Sequence, residues 1–370
     1  MPKRILHSTP KQDGFRMPGE FEPQEKIYML WPQRPDNWRN GAKPAQKAFA
    51  EVAKAIRRFE PVTVLASPEQ FSNCRNTLPP EITVLEMTSN DAWVRDCGPT
   101  FLVNDKGSLR ACDWKFNAWG GLTDGLYFPW DQDDLVARKI CELEHADSYR
   151  TEDFVLEGGS IHVDGEGTVM TTEMCLLSAG RNPSMSKKQI GKKLKNYLNC
   201  DKVLWIPNGI DKKETNGHVD DIACFIRPGE AACIYTENKN HPFYAVSQEV
   251  YRTLSGMTDA KGRKLKVHKI CCTKHPVKMK KQFCIDQVEG SKPRKKGELC
   301  IASYLNFLIV NGGVIVPQYD DENDKKALKQ IQKLFPDRRA VGVHTKEIVY
   351  GGGNIHCITQ QVPKVRTTAK

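Results

Sequence analysis

Apolar and polar positions alternate along this chain in a pattern that repeats. A polar cluster, a short apolar run of strand length, a glycine-containing turn and a second apolar run occur in five places. They are NDAWVRDCGPTFLVNDKGSLRACDW from Asn90, LEGGSIHVDGEGTVMTTE from Leu156, TNGHVDDIACFIRPGEAACIY from Thr215, ASYLNFLIVNGGVIVPQY from Ala302 and YGGGNIHCITQQVP from Tyr350. Turns such as NDKG, DGEG and RPGE predict hairpins. Between them, residues 43–59, 132–144, 186–198, 243–256 and 321–335 carry apolar residues at three- and four-residue spacing. These predict five helices, each with a cap-like start, for instance Ser186 or Asp321, and one stripe for packing on a sheet.

Five hairpins alternating with five helices predict an α/β fold in which each unit takes about seventy residues, too long for a simple solenoid. The expectation is a five-module α/β propeller with pseudo-fivefold symmetry, one domain over residues 1–370. A closed ring exposes no sheet edge. An open doubly wound sheet would put a glycine-rich turn after its first strand, whereas SPEQ follows VTVLA at 62–66. Asp96 precedes Glu157 by 61 residues, and Glu157 precedes His218 by 61 again. Equivalent places in a ring converge, which would gather Asp96, Glu157, His218 and Cys357 in one cavity.

With 39% hydrophobic and 27% charged residues among 370, the chain reads as globular. Neither a signal-peptide core at the N-terminus nor an apolar run near the ~18 residues of a membrane span is present, so the expected location is the cytoplasm, with no membrane partner. Thirteen cysteines without a CxxC pair suit a reducing compartment and buried free thiols. The formal net charge is +10, and much of the excess lies in KMKKQF and SKPRKKGE, read as one solvated insertion over 278–296. No aromatics interleave there, so no nucleic-acid partner is expected.

Read as a strand, GHVDDIACF places His218 and Asp220 on one face, with Val219 and Asp221 on the other. Read the same way, NIHCITQQ separates His356 from Cys357, making His356 a poor base for the thiol and His218 the natural one. His356 and His162 are read as structural. Three glycines before Cys357 suggest close backbone approach, a narrow pocket floor or positive backbone dihedrals. Cys357 then has three readings. A core thiol has no need of GGG. A metal set of Cys357, His218, Asp220 and Glu157 mixes hard and soft ligands without short paired spacing. A nucleophile with a histidine and several carboxylates also accounts for a cationic substrate. The residues alone leave all three open.

The motifs FRMPGEFEPQEKIYMLWPQRPDNWR, NDAWVRDCGPTF, FNAWGG, FVLEGGSIHVDGEGT, TNGHVDDIACF, YLNFLIVNGGVIVPQYDD and GGGNIHCITQQ, in this order, resemble the agmatine deiminases of the guanidine-modifying superfamily. The resemblance implies the five-module propeller and a hydrolysis of agmatine to N-carbamoylputrescine and ammonia in a putrescine-forming setting. It implies that Cys357 attacks the guanidinium carbon, Asp96 and Asp220 grip its nitrogens, and His218 and Glu157 move protons. No metal or organic cofactor is implied. Glu214, with Trp93 and Trp119, is expected to offer acid and aromatic surface at the pocket mouth, against which Lys212 and Lys213 work. Alternatives are a deiminase of free or peptidyl arginine with the same chemistry and a non-catalytic polyamine binder. A homo-oligomer is expected, as for many soluble enzymes.

Overall fold

Turn chemistry and helix periodicity divide the work of connecting strands. The computed structural model describes residues 4–210, 213–280, 283, 285, 288–292 and 294–365. Its first strands are β1 (Gln24–Leu30), β2 (Val62–Ala66) and β3 (Thr83–Glu86). Three more follow, β4 (Thr100–Val103), β5 (Leu109–Lys115) and β6 (Asp147–Val155), then β7 (His162–Val163), β8 (Thr168–Thr172) and β9 (Lys202–Ile206). The chain continues through β10 (Ala223–Arg227), β11 (Glu230–Tyr235), β12 (Lys266–Cys271), β13 (Leu308–Val310), β14 (Gly313–Gln318) and β15 (Arg339–His344) to β16 (Gln360–Pro363).

These strands form five small sheets, ordered β16-β1-β2-β3, β4-β5-β6, β7-β8-β9, β10-β11-β12 and β13-β14-β15. In the last four, the first pair is an antiparallel hairpin and the second pair is parallel. A short turn suffices for the former, while the latter requires a long crossover. The predicted helices sit in those crossovers, at Val136–Leu143, Lys187–Leu198, Tyr244–Ser255 and Asp324–Leu334, with Lys43–Arg57 between β1 and β2.

Helix Lys187–Leu198 shows the local logic. Ser186 caps it, the serine hydroxyl accepting from Gln189 N while Gln189 Oε1 accepts from Ser186 N at 2.8 Å. Ile190, Leu194 and Leu198 form its buried stripe. In Lys43–Arg57 the stripe is Ala45, Ala48, Phe49, Val52 and Ile56; burying a ring the size of Phe49 contributes about 2–3 kcal/mol.

Three expectations need correction. The fifth repeat is no local hairpin: β16 pairs antiparallel with β1, more than 300 residues away, so the two ends of the described chain meet in one sheet. The last long helix begins at Asp324 after Asn323, because Asp321 is committed to the N–H groups of Lys274, His275 and Asn323. SPEQ opens a helix, Pro68–Thr77, which the repeat reading omitted. Among the described residues no helix is long and apolar enough to cross a membrane, and the twelve described cysteines are buried, Cys284 lying outside them.

Candidate active site

In successive units the same stretch, just before the hairpin, carries the chemistry. Asp96 is on the single turn Val94–Cys97, Glu157 precedes the 3-10 turn Gly158–Ser160, and His218 precedes the 3-10 turn Val219–Asp221. GHVDD is therefore not a strand; the chain turns at Gly217, with φ +78°, and β10 starts only at Ala223. NIHC is not a strand either. Asn354 Oδ1 accepts from Ile355 N at 3.0 Å, and Ile358 N and Thr359 N close onto the Asn354 and His356 carbonyls, so residues 355–358 form a tight turn. His356 and Cys357 consequently flank one carboxylate instead of facing apart. His356 Nδ1 is 2.8 Å and Cys357 Sγ 3.8 Å from Asp220 Oδ2.

Gly159 marks where the units meet. A Cβ there would lie 2.6 Å from His218 Nδ1, 2.8 Å from Asp96 Oδ1 and 3.0 Å from Asp220 Oδ2, so any side chain would fill the site. Gly159 N instead donates to Asp96 Oδ1 at 2.9 Å, and Trp119 Nε1 donates to Asp96 Oδ2 at 2.9 Å. His218 stands between Asp96, 3.8 Å from Nδ1, and Glu157, 3.6 Å from Nε2. Neither ring nitrogen has a hydrogen-bond partner, nor do Glu157 Oε2 and Asp220 Oδ1, although all are buried. Orphaned buried polar atoms on three residues grouped around Gly159 call for a polar ligand. No hydrogen bond joins His218 to the thiol as to a paired base; the side chains that hydrogen-bond Cys357 Sγ are Asn306, with Nδ2 at 3.3 Å and Oδ1 at 3.5 Å, and Asp220 at 3.8 Å.

Burial dominates the electrostatics. It pushes the Cys357 thiol well above its ordinary pKa, and Asp220, Asp221 and Asp96 push the same way. Burial also opposes charge on His218, but Asp96, Cys175 and Glu157 hold it well above the ordinary histidine value. Asp96 is raised, by burial first and by Asp220 and Glu157, against the pull of His218. Glu157 is lowered despite burial because the Arg181 guanidinium and then His218 favour its charge. Arg181 Nε donates to Glu157 Oε1 at 2.8 Å, Nη2 to Thr215 O at 2.8 Å, and Nη1 to Trp119 O and Asn216 Oδ1.

The expected mouth is built differently from the sequence reading. Glu214 is no free acid: Arg294 chelates it through Nε and Nη2, each 2.7 Å from a carboxylate oxygen, and Arg294 Nη1 donates to Asn37 at 2.6 Å. Part of the presumed solvated insertion is thus drawn into an ion pair; residues 281, 282, 284, 286, 287 and 293 of that run, and Lys212, lie outside the described residues. A small cavity of about 20 Å³, the room of a water molecule, is lined by Trp93, Trp119, Tyr127 and Arg294. Trp93 and Trp119 meet edge to face at 6.4 Å. The three glycines divide their tasks. Gly351 packs under Trp38, Gly352 (φ +109°) leaves room for Arg294 and Glu214, and a Cβ on Gly353 would meet Cys357 Sγ at 3.1 Å.

Glu157, Cys175 and His218 bring donor atoms within 4.8 Å of one another, the one such group among the described residues with metal-ligand chemistry. Arg181 already occupies Glu157, so a divalent cation there would sit against a fixed positive charge. Residues that sequence reasoning missed are Asn306, Arg181 and Cys175. Asn306 had a signal, a lone amide within the apolar run YLNFLIV.

A buried thiol and carboxylates around an α/β assembly define a class: a cysteine-centred protein whose site suits a cation. Over residues 16–363 the chain matches, and it belongs to, the Porphyromonas-type peptidyl-arginine deiminase family. A solved structure described as agmatine deiminase of Enterococcus faecalis catalysing its reaction is 69% identical, spans 98% of this chain and 99% of its own, and superposes with a TM-score of 0.97. Agmatine deiminase of Pseudomonas aeruginosa is 55% identical over 362 residues, 97% of this chain and 98% of that protein. A C. jejuni agmatine deiminase, a cysteine-to-serine variant with substrate bound, is 26% identical with a TM-score of 0.80, covering 95% of this chain and 97% of its own.

Proposed function

We propose that this protein hydrolyses agmatine to N-carbamoylputrescine and ammonia through a covalent amidino-cysteine. The observation that carries the reading is the convergence of Asp96, Asp220 and His218 on Gly159, with the Cys357 thiol beside Asp220; the 69% identity to the E. faecalis agmatine deiminase supports the substrate. A guanidinium is a delocalised planar cation and a poor electrophile, so carboxylates must grip its N–H fork. Asp96 and Asp220 take that role, Asp220 through its free Oδ1.

Cys357 loses its proton to solvent as the cation binds, and the thiolate forms a C–S bond while the carbon–nitrogen π pair withdraws onto nitrogen, giving a neutral tetrahedral carbon. Protonated His218 gives its proton to the departing nitrogen, the C–N bond breaks, and ammonia leaves. Water then adds to the amidino-thioether with His218 as base, the C–S bond breaks, and the thiol is restored with a ureido product. Glu157, held ionised by Arg181, orients His218 and the water.

Five similar sheets, with β16 closing on β1, support a propeller of pseudo-fivefold symmetry acting as one catalytic domain over 1–370. A cytoplasmic homo-oligomer without a nucleic-acid or membrane partner completes the reading. A second substrate, free arginine, is favoured by Arg294, a cation at the mouth that an α-carboxylate would pair with; its chelation by Glu214 favours agmatine. Incubation of the purified protein with agmatine or with arginine, with ammonia and ureido product measured, decides: no product from agmatine overturns the proposal, and preferential turnover of arginine replaces its substrate.

A further inference from the structure

The N-terminal motif FRMPGEFEP has no part in the chemistry above, yet its Glu20 is buried at the site against His356, 336 residues away along the chain. Glu20 Oε1 lies 2.8 Å from His356 Nε2, and His356 Nδ1 lies 2.8 Å from Asp220 Oδ2. Both ring nitrogens face carboxylate oxygens, which only accept when ionised, so the doubly protonated imidazolium alone satisfies the whole chain. Around it, Arg95 Nη1 is 3.5 Å from Glu20 Oε1, Arg95 Nε donates to His356 O at 3.2 Å, and Arg95 N donates to Cys357 O at 3.2 Å. His162 stacks on His356 with Nε2 3.6 Å from Glu20, and its Nδ1 accepts from Phe225 N. At the far end Asp220 meets Cys357 and shares its surroundings with Asp96, Asp221 and His218.

We propose that Glu20 is a positioning residue for the reaction: it holds His356 as a cation between two carboxylates, and His356 in turn fixes Asp220, with Oδ2 tethered and Oδ1 left for the substrate. The inference rests on the reading that Asp220 grips a guanidinium. Its physical need is plain, since Asp96, Asp220 and Asp221 are crowded into a desolvated pocket, and Asp221 is already pushed well above the carboxylate range by burial and by Asp220. Burial and Arg95 both oppose charge on His356, yet Glu20 and Asp220 raise it above the ordinary histidine value. Glu20 is held well below its own ordinary value despite burial, by His356, His162 and Arg95. With a neutral His356 the pocket loses a cation, and Asp96 and Asp221, both already raised, would take up a proton at higher pH.

Glu20→Gln keeps the shape and removes the charge. It should raise KM for agmatine more than it lowers kcat and move the acid limb of kcat/KM upward by about one pH unit, a ~tenfold loss on that limb that shrinks at alkaline pH. A uniform loss at every pH with the limb unmoved makes Glu20 a packing residue and overturns the proposal. Should the variant fail to fold, 15N NMR of the histidine-labelled unmodified protein without substrate decides. At about pH 8, well above the unperturbed histidine value of ~6.5, the His356 ring, identified by the signal that is lost in His356→Asn, should still show two protonated nitrogens. A neutral His356 ring there sinks the idea. Absence of agmatine turnover by the unmodified protein defeats the substrate reading separately and leaves this NMR readout intact.

Discussion

The Cys357 sulfur lies 3.8 Å from Asp220 Oδ2, so the proposed nucleophile shares its pocket with a carboxylate proposed to bind its target. Burial, Asp220, Asp221 and Asp96 together keep the free thiol protonated well above the ordinary value. A bound guanidinium neutralises those carboxylates, so substrate itself should promote the thiolate. Alkylation of Cys357 by iodoacetamide should therefore be slow and nearly flat through neutral pH and rise only above the unperturbed ~8.5 of a thiol. The charged form appears only as pH climbs through a raised pKa; an inflection below neutrality, without substrate, contradicts this.

Replacing Cys357 by Ser should abolish turnover and leave the melting temperature nearly unchanged, since an alcohol in this pocket does not ionise at neutral pH. Substantial activity in the folded variant rules out the covalent route.

Asn306 adds a second test of the same thiol. Its Nδ2 points at Cys357 Sγ from 3.3 Å and also donates to Asp221 Oδ1 at 2.9 Å, while Oδ1 accepts from His356 N at 3.0 Å. Asn306→Ala removes one donor to the developing thiolate and should lower kcat by about tenfold, the worth of one hydrogen bond. Asn306→Asp adds a negative charge there and should cost more at neutral pH. The gap between the two variants should narrow as pH rises; equal losses at all pH values would show that the amide does not act on the thiol.

What could be foreseen had a repeating cause. The 61-residue spacing worked because Asp96, Glu157 and His218 occupy the same turn of successive units, and unit geometry brings those turns together. Face alternation failed for His218, Asp220 and Cys357 because it presumes extended backbone, and 3-10 and tight turns replace it there. Glu20, Arg181 and Arg294 were illegible for another reason. Their partners, His356, Glu157 and Glu214, are set by packing between distant segments, and no local period records such pairs. The glycines before Cys357 were legible as a demand for space, though not as to whose side chains required it.

Arg294 and Glu214 form a bidentate pair at the mouth, with side chains 15% and 13% exposed. Glu214→Gln removes the carboxylate that neutralises Arg294 and leaves that cation at the entrance, opposed to the substrate's ammonium. Agmatine KM should rise about fivefold with kcat less affected, the worth of roughly 1 kcal/mol, while any arginine turnover improves, because an α-carboxylate gains a partner. Steady-state kinetics with both substrates reads this directly; an unchanged agmatine KM removes Glu214 from the substrate site.

Arg181 holds the sharpest stability prediction. Its side chain and that of Glu157 are both fully buried, and the guanidinium ties Glu157 to Trp119 O, Thr215 O and Asn216 Oδ1 in other parts of the chain. Arg181→Gln leaves a buried carboxylate without its cation, which costs about 3–5 kcal/mol in such pairs. The sign with pH follows from Glu157 being lowered in the folded state: its stabilising contribution is present above the unfolded value near 4.5 and is lost as pH falls through the folded one. The variant lacks that contribution, so its melting temperature should lie well below the unmodified protein's at neutral pH, with the difference shrinking in acid. Arg181→Lys should recover little, because one ammonium cannot reproduce a fork that reaches four acceptors. A lysine variant that melts like the unmodified protein would reduce Arg181 to a simple counter-charge.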